Sequence, residues 1–306
     1  MVASRVVRVL APNPSPMTLE GTNTYLVFGG REAIVIDPGP NDPSHIDAIV
    51  AAAKRNGAAI AAIAVTHGHP DHAPGAAPLH ARTGAPVYAH ELATFPFDVA
   101  AGEGSTIAAG DAALDVIEAP GHAREHLVFG LADEAALFTG DVVIGRGTVV
   151  VAPPNGDMRA YQATLARLLH DRGDSKTIYG GHGAVIDAPR AKLEEYIAHR
   201  ALREREVVTA LASGERTIPQ LVAEIYRDVA TFLWPAAARQ VLAYLIALER
   251  EGRVGVRTLE REPTPQEDAL LNPDLWRMVD AASAAVARAE LGYDRDPGPI
   301  AAYALL

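Results

Sequence analysis

One short stretch constrains this chain more than any other: an apolar strand-like run, Ile60–Thr66, leads straight into Thr66-His67-Gly68-His69-Pro70-Asp71-His72. His67 and His69 stand two residues apart in a loop leaving a strand, so both rings can turn the same way. Asp71 and His72 follow at once with a hard oxygen and a third imidazole. Imidazole and carboxylate together suit zinc, iron or manganese, and three histidines with an aspartate packed this tightly point to a metal. Further donors are expected from other strand ends. His122 sits in Ala119-Pro-Gly-His122, where Pro-Gly stops a strand. Asp141 ends the hydrophobic run Phe138-Thr-Gly-Asp141. His182 sits in Tyr179-Gly-Gly-His182-Gly, whose glycines let backbone crowd a metal. Five of the eleven histidines therefore fall in four motifs. Structural zinc sites are closed four-donor cages, whereas seven donors leave open positions, which favours catalysis.

The surrounding pattern is α/β in character. Strands are predicted at Val6–Leu10, Thr24–Phe28, Ala33–Asp37, Val87–Ala89, Ser105–Ile107, Ala113–Glu118, His126–Phe129, Ala135–Thr139 and Thr177–Tyr179. A helix from His45 to Asn56 has Asp42 and Pro43 as its start signals and Gly57 as its stop. A second short helix ends at Gly84, and a third spans Asp157–Arg172. Hairpins and crossovers are mixed, so a purely doubly wound sheet is not expected. From Asp187 the chain turns helical, to about Ser213, then Thr217–Val229 and Pro235–Gly252. A short strand pair is predicted at Arg253–Leu259, an order like a winged helix. A last amphipathic helix, Pro273–Leu291, carries Leu275, Met278, Val279, Ala282, Val286 and Ala289 on one face. The expected division is 1–187 for the metal-binding catalytic domain, 188–260 for the helical module and 261–306 for a C-terminal tail.

The order THxHxDH, PGH, GD, GHG resembles the metallo-β-lactamase superfamily. The opening Arg5–Val27, the segment Tyr196-Ile-Ala-His-Arg200 and Leu221-Val-Ala-Glu-Ile-Tyr226 resemble the β-lactamase-like protein 2 group within it, over roughly residues 5–256. The resemblance implies an αββα sandwich followed by a winged-helix-like module. It also implies two divalent metal ions, zinc first, with iron or manganese as alternatives. His67, His69 and His122 would hold one ion, Asp71, His72 and His182 the second, and Asp141 would bridge both. In such a site a water bridging the two ions is acidified to hydroxide near neutral pH and attacks a carbonyl or phosphoryl group, with Asp71 orienting it. Asp37, ending a strand in Ile36-Asp-Pro-Gly39, is expected to support a ligand histidine from behind. Positions 68, 70 and 123 depart from the group, with Gly68, Pro70 and Ala123 in place of a bulky residue, a basic residue and a threonine.

The group's single-stranded-RNA endonuclease makes phosphodiester cleavage in single-stranded RNA the first family-based expectation. A small ester-type substrate (thioester, lactone or β-lactam) is the alternative, and a non-catalytic binding module a third reading. Composition bears on this choice. The net charge is −11, with 12 basic and 20 acidic residues in 1–187 but 11 and 10 in 188–260. The module's Arg190, Lys192, Arg200, Arg203, Arg205 and Arg216 interleave with Glu194, Glu195, Glu204 and Glu206, the pattern of a solvated helix laced with ion pairs rather than of an RNA groove. No cysteine is present, which excludes disulfides and thiolate ligands and fits a reducing compartment. The apolar run Ala58–Val65 is too short to span a bilayer, so a cytoplasmic protein without membrane contact is expected. The tail helix needs cover for its apolar stripe, from the body of the protein or from a second copy in a homodimer. Asn23 and Tyr25 are read equally as substrate-facing or as hairpin residues. His126 is expected on a strand rather than at a metal. His80, His90, His170 and His199 are taken as packing or surface residues, and Trp234 and Trp276 as apolar anchors.

Overall fold

The computed structural model describes residues 5–259 and 300–306, together with 261, 264, 265, 267 and 270. Its elements in chain order are β1 (Val6–Leu10), β2 (Asn23–Gly29), β3 (Glu32–Ile36), α1 (Pro43–Arg55), β4 (Ala59–Ala64), α2 (Ala76–Thr83), β5 (Val87–Ala89), β6 (Val99–Ala100), β7 (Thr106–Ala109), β8 (Ala112–Glu118), β9 (Leu127–Leu131), β10 (Ala136–Gly140), α3 (Met158–Arg172), β11 (Thr177–Gly180), α4 (Pro189–Ala212), β12 (Arg216–Thr217), α5 (Ile218–Ile225), α6 (Trp234–Arg250), β13 (Val254–Thr258) and β14 (Ala301–Leu305). Two compact units result. One comprises residues 1–149 and 164–194, the other 150–163 and 195–306.

The first unit holds a six-stranded sheet in the order β1-β2-β3-β4-β5-β6 and a five-stranded sheet in the order β11-β10-β9-β8-β7. Its layering follows from the two-residue period of a strand. In β2, Tyr25 and Val27 face the other sheet while Leu26 faces the helices; in β3, Ile34 and Ile36 do the first and Val35 the second. Ala62 and Ala64 of β4 complete the layer between the sheets with Leu114, Val116, Leu127, Phe129 and Phe138. Ile60 and Ile63 point instead to Ile46, Ile49 and Ala52 of α1 and to Ala76 and Leu79 of α2. A strand buried on both faces reads as one continuous apolar run, which is why Ala58–Val65 has no polar alternation. On the far sheet, α3 ties to β8 through Thr164 Oγ1, which donates to the Pro120 carbonyl at 2.7 Å, and through Arg167 on the Glu118 carbonyl. The predicted αββα sandwich is the observed one.

Local signals explain the helix ends. Asp42 Oδ1 accepts from His45 N at 3.0 Å, and Pro43 opens α1. Gly84 closes α2 in a left-handed conformation at φ +72°.

The second unit contains α4 from Glu195 onward, α5, α6 and a three-stranded sheet in the order β12-β14-β13. Two expectations need correction here. Residues 253–259 do not form a strand pair: Val254–Thr258 is one continuous strand, and β13 pairs antiparallel with β14 further along the chain, Val254 opposite Leu305 through Thr258 opposite Ala301. The last residues, which the sequence reading leaves in a separate tail, are thus the middle strand of the wing. The helix predicted to reach Val229 ends at Ile225, because the Trp234 indole donates to the carbonyls of Tyr226 and Val229 at 3.2 and 3.1 Å. Trp234 is an anchor in that sense; Trp276 and the helix predicted at Pro273–Leu291 lie outside the described residues. The stretch Thr231–Arg250 is long and apolar enough, by length and composition alone, to cross a membrane. Val241, Tyr244, Leu245 and Leu248 are however fully buried within this unit, as in a core helix.

Candidate metal centre

The residues singled out above sit where strands of the first unit end. Asp37 follows β3, His67 to His72 follow β4, and His122 follows β8. Asp141 follows β10 and His182 follows β11. The two sheets meet there directly, Leu127 N donating to Thr66 O at 2.8 Å.

All seven predicted donors are brought together. His67 Nε2 and His122 Nε2 lie 2.8 and 3.0 Å from His69 Nδ1. His182 Nε2 lies 3.1 Å from Asp71 Oδ2 and 3.4 Å from His72 Nε2. Asp141 stands between these groups. Its Oδ1 is 3.4 Å from both His72 Nε2 and His182 Nε2, and its Oδ2 is 3.7 Å from His122 Nε2. Three sets therefore have donor atoms close enough to share one ion: His67/His69/His122, His67/His72/Asp141 and Asp71/His72/His182.

Behind the donors, one carboxylate sets two imidazole tautomers. Asp37 is 2% exposed, and its Oδ1 accepts from Thr66 N at 2.8 Å. Its Oδ2 accepts from Thr66 Oγ1 and from His72 Nδ1, both at 2.8 Å. A carboxylate only accepts, so His72 carries a proton on Nδ1 and turns Nε2 inward as the atom available to a cation. Thr66, having given its hydrogen to Asp37, accepts from His67 Nδ1 at 2.9 Å and leaves His67 Nε2 available in the same way. Asp37 thus supports a ligand histidine as expected, and reaches a second one through Thr66.

Three supporting residues were missed in the sequence. Thr66 could have been found, since a threonine directly precedes His67. His126 is fully buried, stacks on His67 at 4.7 Å, and accepts from Asp141 N at 3.1 Å, so it holds the Asp141 backbone without joining a donor set. Glu125 Oε1 accepts from Gly68 N at 3.3 Å, pinning the peptide between two ring donors. Neither has a local signal. Asn23 and Tyr25 are hairpin residues: Asn23 Nδ2 donates to the Gly180 and Gly183 carbonyls and Tyr25 Oη to Gly180 O, all at 2.9–3.0 Å, stapling the turn that carries His182.

Backbone must approach closely here. A Cβ on Gly181 would lie 2.6 Å from Asp141 Oδ1 and 2.7 Å from His72 Cε1. At Gly140, φ is +45° and a Cβ would meet Thr66 Oγ1 at 2.6 Å.

Electrostatics divide the site. Burial, reinforced by the neighbouring imidazoles of His72, His69, His126 and His122, holds His67 well below the usual histidine range, and burial likewise lowers His69. Burial also opposes protonation of His182, but the charge of Asp141, with Asp71 3.1 Å away, overrides it and lifts the ring to about 10. His72 is raised for the same reason by Asp71, Asp141 and Asp37. For Asp71 and Asp141 burial disfavours the charge, yet the facing imidazoles hold both well below the ordinary carboxylate range.

The donor set fits divalent cations. Asp141 Oδ1 is buried without a hydrogen-bond partner, and such an orphan is costly unless a cation meets it. The inward nitrogens of His67, His69 and His122 face one another at 2.8–3.0 Å, an arrangement lone pairs tolerate around a shared cation.

The sequence matches the metallo-β-lactamase superfamily over residues 17–182 and the β-lactamase-associated winged helix domain over residues 217–258. The chain belongs to the metallo-β-lactamase superfamily. A β-lactamase-like protein 2 homolog of Drosophila melanogaster is 33% identical, over 83% of this chain and 91% of that protein. An atrochrysone carboxyl ACP thioesterase of Aspergillus chevalieri is 36% identical, over 74% of this chain and 75% of that one. A solved metallo-β-lactamase family protein from Thermus thermophilus has the same fold, with a TM-score of 0.69 at 23% identity, covering 83% of this chain and 96% of the other. The chain is accordingly a hydrolase of the metallo-β-lactamase type.

Proposed function

We propose that this chain hydrolyses a small carboxylic-acid derivative, a thioester first, at a centre for two divalent cations, zinc foremost. The observation that carries this reading is the pair of open three-donor groups with the Asp141 carboxylate between them. His67, His69 and His122 would hold one cation, Asp71, His72 and His182 the other, and Asp141 would touch both. When bound, such a pair supplies Lewis acidity and an acidified water near neutral pH.

The chain's own residues do the rest. Asp37 and Thr66 fix a proton on Nδ1 of His72 and His67, so that Nε2 is the atom each ring turns toward a cation, and His126 fixes the Asp141 backbone. Asp71 is the more exposed of the two ligand carboxylates, at 23% against 11% for Asp141. Its carboxylate is therefore the one placed to accept a hydrogen bond from water in the cleft and to orient it toward an acyl carbon.

The thioester is preferred to RNA because the cations of the helical module are engaged. Arg203 pairs with Glu206, a pair the interleaved sequence predicts, Arg253 pairs with Glu204 and Glu251, and Arg159 of α3 joins the same two glutamates. A groove for a polyanion needs cations left over to neutralise phosphates. The named thioesterase among the relatives supports the same choice. Single-stranded RNA stays as the second reading, carried by the similarity to the β-lactamase-like protein 2 group.

Elemental analysis of purified protein, beside turnover of an acyl N-acetylcysteamine thioester, a lactone, a β-lactam and a single-stranded RNA, separates the two. The expected result is about two metal equivalents per chain and thioester hydrolysis that a chelator abolishes. RNA cleavage falling steeply with salt, without thioester turnover, would replace the reading with the second one.

A further inference from the structure

Against the second donor group lies the loop from Asn13 to Thr22, a segment the mechanism above does not use. It is densely tied within itself. Ser15 Oγ accepts from the amides of Met17 and Thr18 at 3.1 and 3.0 Å, Thr18 Oγ1 donates to Asn13 O, and Gly21 N donates to Thr18 O at 2.9 Å. These bonds hold Leu19 at φ +57°, a conformation a branched residue adopts only when its surroundings dictate it. The loop's last two residues touch the second donor group. Thr22, with no solvent exposure, places Oγ1 3.5 Å from Asp71 Oδ2, and Gly21 O lies 3.3 Å from His182 Nδ1.

The direction of each bond is fixed by elimination. Asn13 Oδ1 accepts from Thr22 N at 2.9 Å, so the oxygen of that amide is identified and its Nδ2 is the atom 3.0 Å from Thr22 Oγ1. Receiving a hydrogen there, the Thr22 hydroxyl turns its own hydrogen outward, to the acceptor it meets, Asp71 Oδ2. A carbonyl only accepts, so His182 holds a proton on Nδ1, toward Gly21, and Nε2 is the atom it turns inward to meet a cation.

We propose that Asn13 and Thr22 form a hydrogen-bond relay that positions Asp71, and that the loop carrying them organises the second metal position separately from the first. Thr22 and Asn13 are positioning residues: they act through Asp71 and touch no substrate. The relay rests on the reading that Asp71 and His182 hold a cation, and it is tested by metal binding rather than turnover.

Three variants separate hydroxyl direction from shape. Thr22→Val keeps the shape and removes the hydroxyl. Thr22→Ser keeps the hydroxyl. Asn13→Asp keeps the acceptor for Thr22 N but replaces the donor with a second acceptor, so the Thr22 hydroxyl turns back to it and abandons Asp71. Affinity for each of the two zinc ions is measured by chelator competition, with thermal melting as the check on folding. Outer partners of metal ligands are worth about 10–100-fold in affinity. The expected result is a loss of that size for the second ion only in Thr22→Val and Asn13→Asp, with Thr22→Ser close to the parent. The loss in Asn13→Asp is diagnostic, since its added negative charge by itself would tighten a cation. Parent-like affinity for the second ion in Thr22→Val and Asn13→Asp overturns the relay, as does a Thr22→Ser that falls as far as Thr22→Val. A parent protein that binds no metal overturns both the relay and the proposed hydrolase centre.

Discussion

Replacing Asp37 by asparagine exchanges one oxygen for an NH2 group and reverses two histidines. The three bonds that Asp37 accepts, from Thr66 N, Thr66 Oγ1 and His72 Nδ1, are each 2.8 Å long in a site sealed from solvent. The amide that replaces the carboxylate has one acceptor and one donor end. With its oxygen on Thr66 N, its NH2 faces Thr66 Oγ1 and His72 Nδ1. The Thr66 hydroxyl must then accept from the new amide and give its hydrogen to His67 Nδ1, while His72 Nδ1 must become the acceptor. Both rings are driven to carry their protons on Nε2, the atom each turns toward the cations. The opposite amide orientation spares the rings but leaves the buried Thr66 N–H facing a donor, at a cost of about 1–3 kcal/mol. The expected balance is a folded protein whose metal affinity falls about 10–100-fold, or about 1.4–2.8 kcal/mol for each affected ion. Chelator competition reads the affinity, elemental analysis the stoichiometry, and nitrogen chemical shifts of the two rings the tautomers. Thermal melting with and without metal should show the gap between the Asp37→Asn variant and the parent widening when metal is present, because the ligand stabilises only the folded form that binds it. Two tightly held metals in Asp37→Asn, with His67 and His72 unchanged in tautomer, would refute this account of the site.

Other perturbations follow from the same geometry. Asp71→Ala and His122→Ala should each abolish turnover while the melting curve stays cooperative; full activity in either one sinks the two-cation centre. In Gly181→Ala the new methyl group falls on Asp141 Oδ1 and His72 Cε1, so metal content should drop and the protein should lose about 1–3 kcal/mol of stability, measured by denaturant unfolding. Burial, with the charges of Arg200 and Arg203 nearby, lowers His199 to about 4. As pH falls below about 6.5 the unfolded chain takes up a proton that the folded ring refuses until about 4, so the protein should lose stability across that window. The full difference corresponds to about 3 kcal/mol, and a ring this open to water retains about 1. His199→Gln should flatten the acid limb of the stability profile; an unchanged limb refutes the assignment.

The donors were legible because each sits where a strand must stop. Pro-Gly before His122 and Gly-Gly before His182 mark the ends, and the apolar runs before His67 and Asp141 mark the strands that carry them. What holds the donors was less legible, because it depends on pairings that no local pattern records. Asp37 could be placed from its turn, but its reach to His67 passes through Thr66, and that needs β3 and β4 to lie side by side in parallel register. His126 reads as a strand residue and nothing more until Asp141 N is found 3.1 Å from its ring. In the helical module the failure was one of distance along the chain. β13 finds its partner some 45 residues later, in a strand whose sequence, Ala301-Ala-Tyr-Ala-Leu305, carries little β signal of its own.

The two halves of the centre differ in what they ask of a cation. In the first donor group, burial lowers His67 and His69, so neither ring resists a cation with a proton of its own at neutral pH. Asp71 and Asp141 favour a proton on His72 and His182, so a cation entering there competes with that proton, and the two carboxylates then serve the cation instead. The second position is therefore the more demanding one, and it is the one with dedicated support from both sides, Asp37 on His72 and the Asn13–Thr22 loop on Asp71 and His182. Two dications would offset the charges of Asp37, Asp71, Asp141 and Glu125 in the loaded cleft. The acidity of the domain as a whole thus says little about the charge a substrate meets. What favours a thioester over RNA is instead that Arg203 and Arg253 of the module, with Arg159 of α3, are engaged by Glu204, Glu206 and Glu251.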